Sequence, residues 1–223
     1  MIKLTNIKKS YGKKQILSDV TMEVPRGRCV GLVGKNGSGK STLLSIMAGA
    51  LKADAGSIFY HDKLMATRAD LARYAAFVPQ ENPLIEELSV RDNLRLWYAD
   101  SVNSLEDALS GGLPYEMGLP GILTDKVRNL SGGMKKRLSI ACALANDAPV
   151  LLLDEPAASL DLVMKQDIIS YLKRFLARGG TVVLSSHDRD ELALCDTLYH
   201  LKNGHLEEIS AGTQLEELVD LLT

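Results

Sequence analysis

The densest chemistry in the chain lies in Gly34-Lys35-Asn36-Gly37-Ser38-Gly39-Lys40-Ser41-Thr42. This stretch has the spacing GxxxxGK[ST], follows the apolar run CVGLV and opens the helical pattern STLLSIMAGAL. Glycines at 34, 37 and 39 free the backbone to aim N–H groups inward, and a helix N-terminus adds a dipole that favours anions. The loop reads as a phosphate cradle, with Lys40 placed to pair with β and γ phosphates, Ser41 to ligate Mg²⁺ and Thr42 to add a hydrogen bond. Farther along, Val150-Leu-Leu-Leu runs into Asp154-Glu155 and stops at Pro156. Asp154 can hold the metal directly or through water. Glu155, expected on the other side of the strand end, can polarise an attacking water.

The letters LSGG occur twice, at Leu109–Gly112 and Leu130–Gly133. Ser131 opens a Pro-free helical pattern, GGMKKRLSIACALAND, in which Leu138, Cys142 and Ala145 share a face, so Ser131, Gly132 and Gly133 form a helix start suited to an anion. Ser110-Gly-Gly is followed by Pro114 and Gly118, which leave room for a short turn at most. That copy reads as the end of the SLEDAL helix, with glycine supplying a left-handed cap.

Such side chains need a scaffold. RCVGLVG, VLLLDE and TVVLSS are short apolar runs separated by helical patterns from Lys40, through KQDIISYLKRFLARG and from Asp188, which predicts a parallel sheet covered on both faces. IKLTNI, SDVTMEV and GSIFYHDK instead alternate apolar and polar residues, a small antiparallel layer beside that core. Between Glu81 and Asn129 the strand pattern gives way to helical segments broken by Gly and Pro. The fold class is therefore α/β. One domain spans 1–223, with 1–80 and 131–223 as the core and 81–130 as an inserted helical subdomain.

At 223 residues and 46% hydrophobic, the chain can bury a full core. Its net charge of -2 comes from interleaved acids and bases, leaving no electrostatic footprint for nucleic acid. No apolar run approaches the roughly 20 residues that cross a bilayer. The N-terminus lacks a secretory pattern, which makes a cytoplasmic chain the expectation. Cys29, Cys142 and Cys195 have neither CxxC nor Cys/His spacing and read as buried structural thiols. His61, His200 and His205 likewise read as structural or exposed.

Taken in order, the phosphate loop, Gln80 in FVPQENP, the second LSGG, the Asp154-Glu155 strand, Ser159-Leu160-Asp161 and His187 in SSHDRDE resemble the ATP-binding cassette (ABC) ATPases from about Ile2 to Ile209. The resemblance implies a P-loop NTPase core and ATP with Mg²⁺ as cofactors. It implies that Tyr11 stacks on adenine, that Gln80 links metal and water to the helical subdomain, and that His187 touches the γ-phosphate. Ala158 to Asp161 would cross to a second nucleotide-binding subunit, and Ser131, Gly132 and Gly133 would face the phosphate held by that subunit. Met134 stands where many members carry Gln, which leaves the phosphate contacts of the serine and glycines intact.

The function so implied is an ATPase subunit, working as a homo- or heterodimer on the cytoplasmic face of a membrane and driving separate transmembrane transporter subunits. The stretch ENPLIEELSVRDNLRLWYAD would supply apolar docking anchors from among Leu84, Ile85, Leu88, Trp97 and Tyr98, with some of these packing the subdomain core instead. An amphipathic QLEELVDLL tail, in place of an appended regulatory domain, points toward export. Two other readings stay open: a soluble ABC ATPase acting on ribosomes, DNA or iron–sulfur assembly, and a regulatory module that senses ATP without turnover.

Overall fold

The computed structural model describes residues 1–158 and 160–209. The QLEELVDLL tail and Ser159 lie outside the described residues. The chain begins with the hairpin β1 (Ile2–Tyr11) and β2 (Lys14–Val24), then enters β3 (Cys29–Val33) and α1 (Lys40–Met47). β4 (Ala55–Tyr60), β5 (Lys63–Leu64), α2 (Arg68–Tyr74) and β6 (Ala75–Val78) follow. A helical stretch comes next, with α3 (Val90–Tyr98), α4 (Leu105–Gly111), α5 (Leu113–Glu116), two single 3-10 turns and α6 (Gly132–Ala143). The chain then runs through β7 (Val150–Asp154), α7 (Leu162–Ala177), β8 (Thr181–Ser185), α8 (Arg189–Leu192), β9 (Thr197–Lys202) and β10 (His205–Ile209).

Two sheets result. The larger has the order β10-β9-β3-β8-β7-β6. It is parallel throughout except for the β9–β10 hairpin. The smaller, β2-β1-β4-β5, is antiparallel, as alternation in the N-terminal segments requires. Successive residues of the inner strands serve different faces. Leu151 and Leu153 pack with residues of α3, α6 and α7, whereas Val150 and Leu152 pack with α1 and the antiparallel sheet. Because both faces are covered, strands such as VLLLD are buried at every position. The three cysteines are free; Cys29 and Cys142 are buried, and the Cys29 and Cys195 sulfurs lie 3.5 Å apart.

Two elements escaped the sequence pattern. Helix α2 passes straight into β6 with no Gly or Pro between them, because Ala75, its C-terminal cap, is already extended. Its start is set locally: the Thr67 side chain accepts from the Asp70 amide while the Asp70 carboxylate accepts from the Thr67 amide, a capping box. The helix expected from Asp188 amounts to one turn, Arg189–Leu192, capped by Asp188.

The first LSGG needs a correction. It does end α4, and Ser110 lies inside that helix with its hydroxyl donating to the Glu106 carbonyl at 2.8 Å. No left-handed glycine cap is present, however. Gly111 is the last helical residue, and Gly112 is extended (φ -90°, ψ -162°), ending α4 and starting α5 together. The glycine at 112 answers to space instead: a Cβ there would sit 2.8 Å from the Ala108 Cα, while one at Gly111 would meet nothing within 4 Å. Gly111→Ala should therefore stabilise the protein by up to about 1 kcal/mol in urea denaturation, the usual helical gain. Gly112→Ala and Gly112→Asn should both destabilise it. A left-handed cap would instead have tolerated Asn better than Ala.

Candidate functional site

The loop between β3 and α1 is shaped by backbone that side chains would obstruct. Gly34 has φ 146°, and a Cβ there would lie 2.5 Å from the Leu201 carbonyl oxygen, so the loop rests directly on β9. Gly39 has φ 113° and forms the N-cap of α1. With glycine at that position, no side chain caps α1 and its first turn holds no acid. The first N–H groups of α1 are thereby left for an external acceptor.

Lys40, the first residue of α1, is only 6% exposed. Its ammonium group donates to the Gly34 carbonyl at 2.6 Å and to the Lys35 carbonyl at 3.4 Å. Burial lowers its pKa, while the charges of Glu155 and Asp154 work the other way. A cation taken out of water and bonded to neutral carbonyls is under-compensated, and an anion arriving beside it repays that cost.

The opposite wall comes from the ends of β7 and β8. Asp154 is buried and its Oδ1 accepts from the Ser185 hydroxyl at 2.6 Å. Glu155 has a left-handed φ of 49°, a conformation that costs a non-glycine residue on the order of 1 kcal/mol. Its amide is held by the Ser185 carbonyl and hydroxyl, each at 3.1 Å. That turn breaks strand alternation, so both carboxylates line one cavity rather than opposite sides of the strand end. Burial raises the Glu155 pKa, and the His187 and Lys40 charges pull it back. His187 Nε2 lies 3.3 Å from Glu155 Oε1 and 3.4 Å from Lys40 Nζ, so its tautomer decides which neighbour it bonds.

The cavity, about 410 Å³, is lined by Ile16, Asn36, Gly37, Gly39, Lys40, Ser41, Thr42, Gln80, Asp154, Glu155 and His187. A second cavity of about 520 Å³ shares Ile16, Asn36 and Gly37 and adds Lys14, Lys35, Ser38 and Lys202. The buried Ser38 hydroxyl has no hydrogen-bond partner. Tyr11 lines neither; it is 52% exposed at the end of β1, with Lys9 Nζ 5.7 Å from its ring centre. Ser131, Gly132, Gly133 and Asp161 also lie outside both. Ser131 caps α6 through the Met134 amide, and Asp161 caps α7 through the Met164 amide. A Cβ on Gly133 would lie 2.5 Å from Met164, so packing against α7 also requires that glycine. Met134 is half-buried against the core.

The donor set fits a nucleoside triphosphate with a divalent cation. Among the described residues no group of three His, Cys, Asp or Glu side chains is placed to hold a metal. Ser41, Gln80 and Asp154 offer a partial oxygen set of the kind that Mg²⁺ completes with phosphate and water.

Sequence reasoning missed the residues behind this wall. Ser185 and Ser186 are buried and bonded to acids, a role that the serine pair before His187 could have signalled. Lys136 in α6 is 3% exposed and donates to the Pro79 and Gln80 carbonyls at 3.2 and 3.3 Å. Burial brings its pKa down to about 8. Glu191, 1% exposed, is pushed up to about 7 by burial. Charged letters inside helical patterns read as solvent-facing, which hid both. Because the native state holds the Glu191 proton above the ordinary value of 4.5, this group's stabilisation is fully present below that value and is lost as pH rises through about 7. Glu191→Gln should flatten that part of the stability–pH curve, measured by urea midpoints; an unchanged slope would show that Glu191 titrates normally.

Comparison with known proteins meets this geometry directly. A family model described as ABC transporter matches residues 17–158. The lantibiotic transport ATP-binding protein SrtF of Streptococcus pyogenes is 34% identical over 222 residues, covering 98% of this chain and 95% of that protein. The Nod factor export ATP-binding protein I of Bradyrhizobium diazoefficiens is 38% identical over 208 residues, covering 91% and 68%. An ATP-binding cassette solved as a dimer in a post-hydrolysis state with ADP and Pi superposes with a TM-score of 0.82 at 28% identity, covering 95% of this chain and 100% of that one. A phosphate loop on an uncapped helix, faced by two strand-end carboxylates and carried on this sheet order, is thus found in a chain that belongs to the ABC transporter family and is an ATPase.

Proposed function

We propose that the chain is the ATP-hydrolysing subunit of an ABC exporter, closing with a second cassette around ATP and driving separate transmembrane subunits. The observation that carries the reading is the buried Lys40 ammonium at an uncapped helix start, facing Asp154, Glu155 and His187 across one cavity. Lys40 and the loop amides bind the β and γ phosphates, with Lys35, Asn36 and Ser38 contributing backbone and Thr42 a hydroxyl. Ser41, Asp154 and Gln80 hold Mg²⁺, which supplies charge neutralisation at the phosphates. Glu155 orients and deprotonates water, helped by a pKa raised through burial. His187 contacts the terminal phosphate from beside Glu155, and Tyr11 offers its exposed face to adenine.

In this reading 1–80 and 131–223 form the catalytic core and 81–130 a helical subdomain. Ser131, Gly132, Gly133 and Asp161 act on the nucleotide of the partner cassette, which accounts for their place outside the cavity of their own chain. Ile85, exposed in the segment before α3, and Trp97, exposed on α3, serve as docking anchors. Among the described residues no helix is long and apolar enough to cross a membrane, so membrane attachment falls to partners. Support for export comes from relatives named for lantibiotic transport, Nod factor export and linearmycin resistance.

Glu155→Gln should bind ATP yet lose turnover by about a hundredfold or more, and accumulate as an ATP-bound dimer on size exclusion. Parent-rate hydrolysis by that variant would remove Glu155 from its role. Ser131→Arg should abolish ATP-dependent dimerisation without weakening ATP binding by the isolated chain. Ser110→Arg, on the exposed side of α4, should leave dimerisation intact. Equal losses in the two would overturn the assignment of the second LSGG.

A further inference from the structure

Glu191 is an ionisable side chain with almost no contact with water. Its Oε2 accepts from the Ser186 hydroxyl, while its Oε1 is buried without a hydrogen-bond partner. The Ser186 hydroxyl in turn accepts from the Asp188 amide at 2.8 Å. His187 is therefore bracketed: the residues before and after it are fixed by one chain of hydrogen bonds that ends on Glu191. The Ala157 amide, two residues beyond Glu155, faces the same carboxyl group, and the charges of Asp188, Glu155 and Lys136 act on it. The Cys195 thiol donates to the backbone carbonyl of Glu191 at 3.6 Å, tying its helix to the next turn.

Stability does not account for an acid here. A half-satisfied buried carboxyl group costs free energy that an apolar side chain of the same size would not. What the acid provides is an acceptor at one point between the His187 loop and the turn that carries Glu155. We propose that Glu191 is a positioning residue for ATP hydrolysis, holding Ser186 so that His187 stays beside Glu155. This rests on the roles given above to His187 and Glu155.

The roles separate in the full-length chain with Glu191→Gln, Glu191→Leu, Ser186→Ala, the double variant Ser186→Ala/Glu191→Leu, and His187→Ala as reference. Steady-state ATPase kinetics and the His187 Cε1–H NMR signal, assigned by its loss in His187→Ala, are measured on each variant that melts cooperatively. Glu191→Leu should lower kcat by about tenfold or more, the usual effect of a displaced reacting group, with KM for ATP within about threefold. It should also move or broaden the His187 signal. Glu191→Gln, whose amide oxygen still accepts from Ser186, should retain most of the rate and the parent signal. Because both residues lie on one chain of bonds, the double variant should be no slower than the slower single one. Parent kcat in Glu191→Leu, or losses that multiply in the double variant, would overturn the proposal. If Glu191→Leu does not fold, Ser186→Ala decides, and a parent rate there is equally fatal. Full turnover by His187→Ala would sink the reading of the site instead. Positioning is then judged by NMR alone, and an unmoved His187 signal in Glu191→Leu refutes it.

Discussion

A buried positive charge organises this protein. Lys40 enters the interior at the start of α1, where carbonyl oxygens accept from its ammonium group and the charges of Glu155 and Asp154 offset its burial only in part. Such a site gains from a further anion arriving beside it. The glycines on either side serve the same end, since they let the loop rest on β9 and keep the first turn of α1 free of a competing cap. In the function we propose, affinity for phosphate is thereby stored in the fold as an electrostatic demand met only in part.

The two sheets and their helices meet that demand from opposite directions. β3 delivers the loop, and β8 and β7, the next two strands in the sheet order, deliver the histidine and the carboxylates. Parallel strands place all these ends on one edge, where ligands gather in open α/β sheets. Ser185 is the joint between the two wall strands: it holds the Asp154 carboxylate with its hydroxyl and the Glu155 amide with both hydroxyl and carbonyl. One small side chain thus sets the spacing between the two strand-end carboxylates to which we give the metal-binding and water-activating roles.

Much of this was legible in the sequence, for physical reasons. A phosphate loop must have its glycines and lysine in fixed order, and buried parallel strands must be apolar throughout, so the loop, β3, β7 and β8 announce themselves. The ABC resemblance and the α/β class followed from that order and agree with the relatives found. What stayed hidden depended on contacts distant in sequence. The shared lining by Asp154 and Glu155 arises from one left-handed residue that no letter code marks. β6 was missed because two alanines at a helix–strand junction carry little β signal. Gly112 was misread because glycine serves both φ freedom and lack of volume, and only the position of Ala108 tells which is in use.

Lys136 links parts of the molecule that are far apart in the chain. Its ammonium group reaches from α6 to the two carbonyls at the exit of β6, and the segment between them is the whole helical stretch. Mechanically this is a pinned linkage. Both ends of that stretch are fastened to each other across a buried joint, which Ser139 reinforces by donating to Asn82 at 3.0 Å, so a force applied at its outer helices is passed to a joint that adjoins Gln80, a residue lining the cavity.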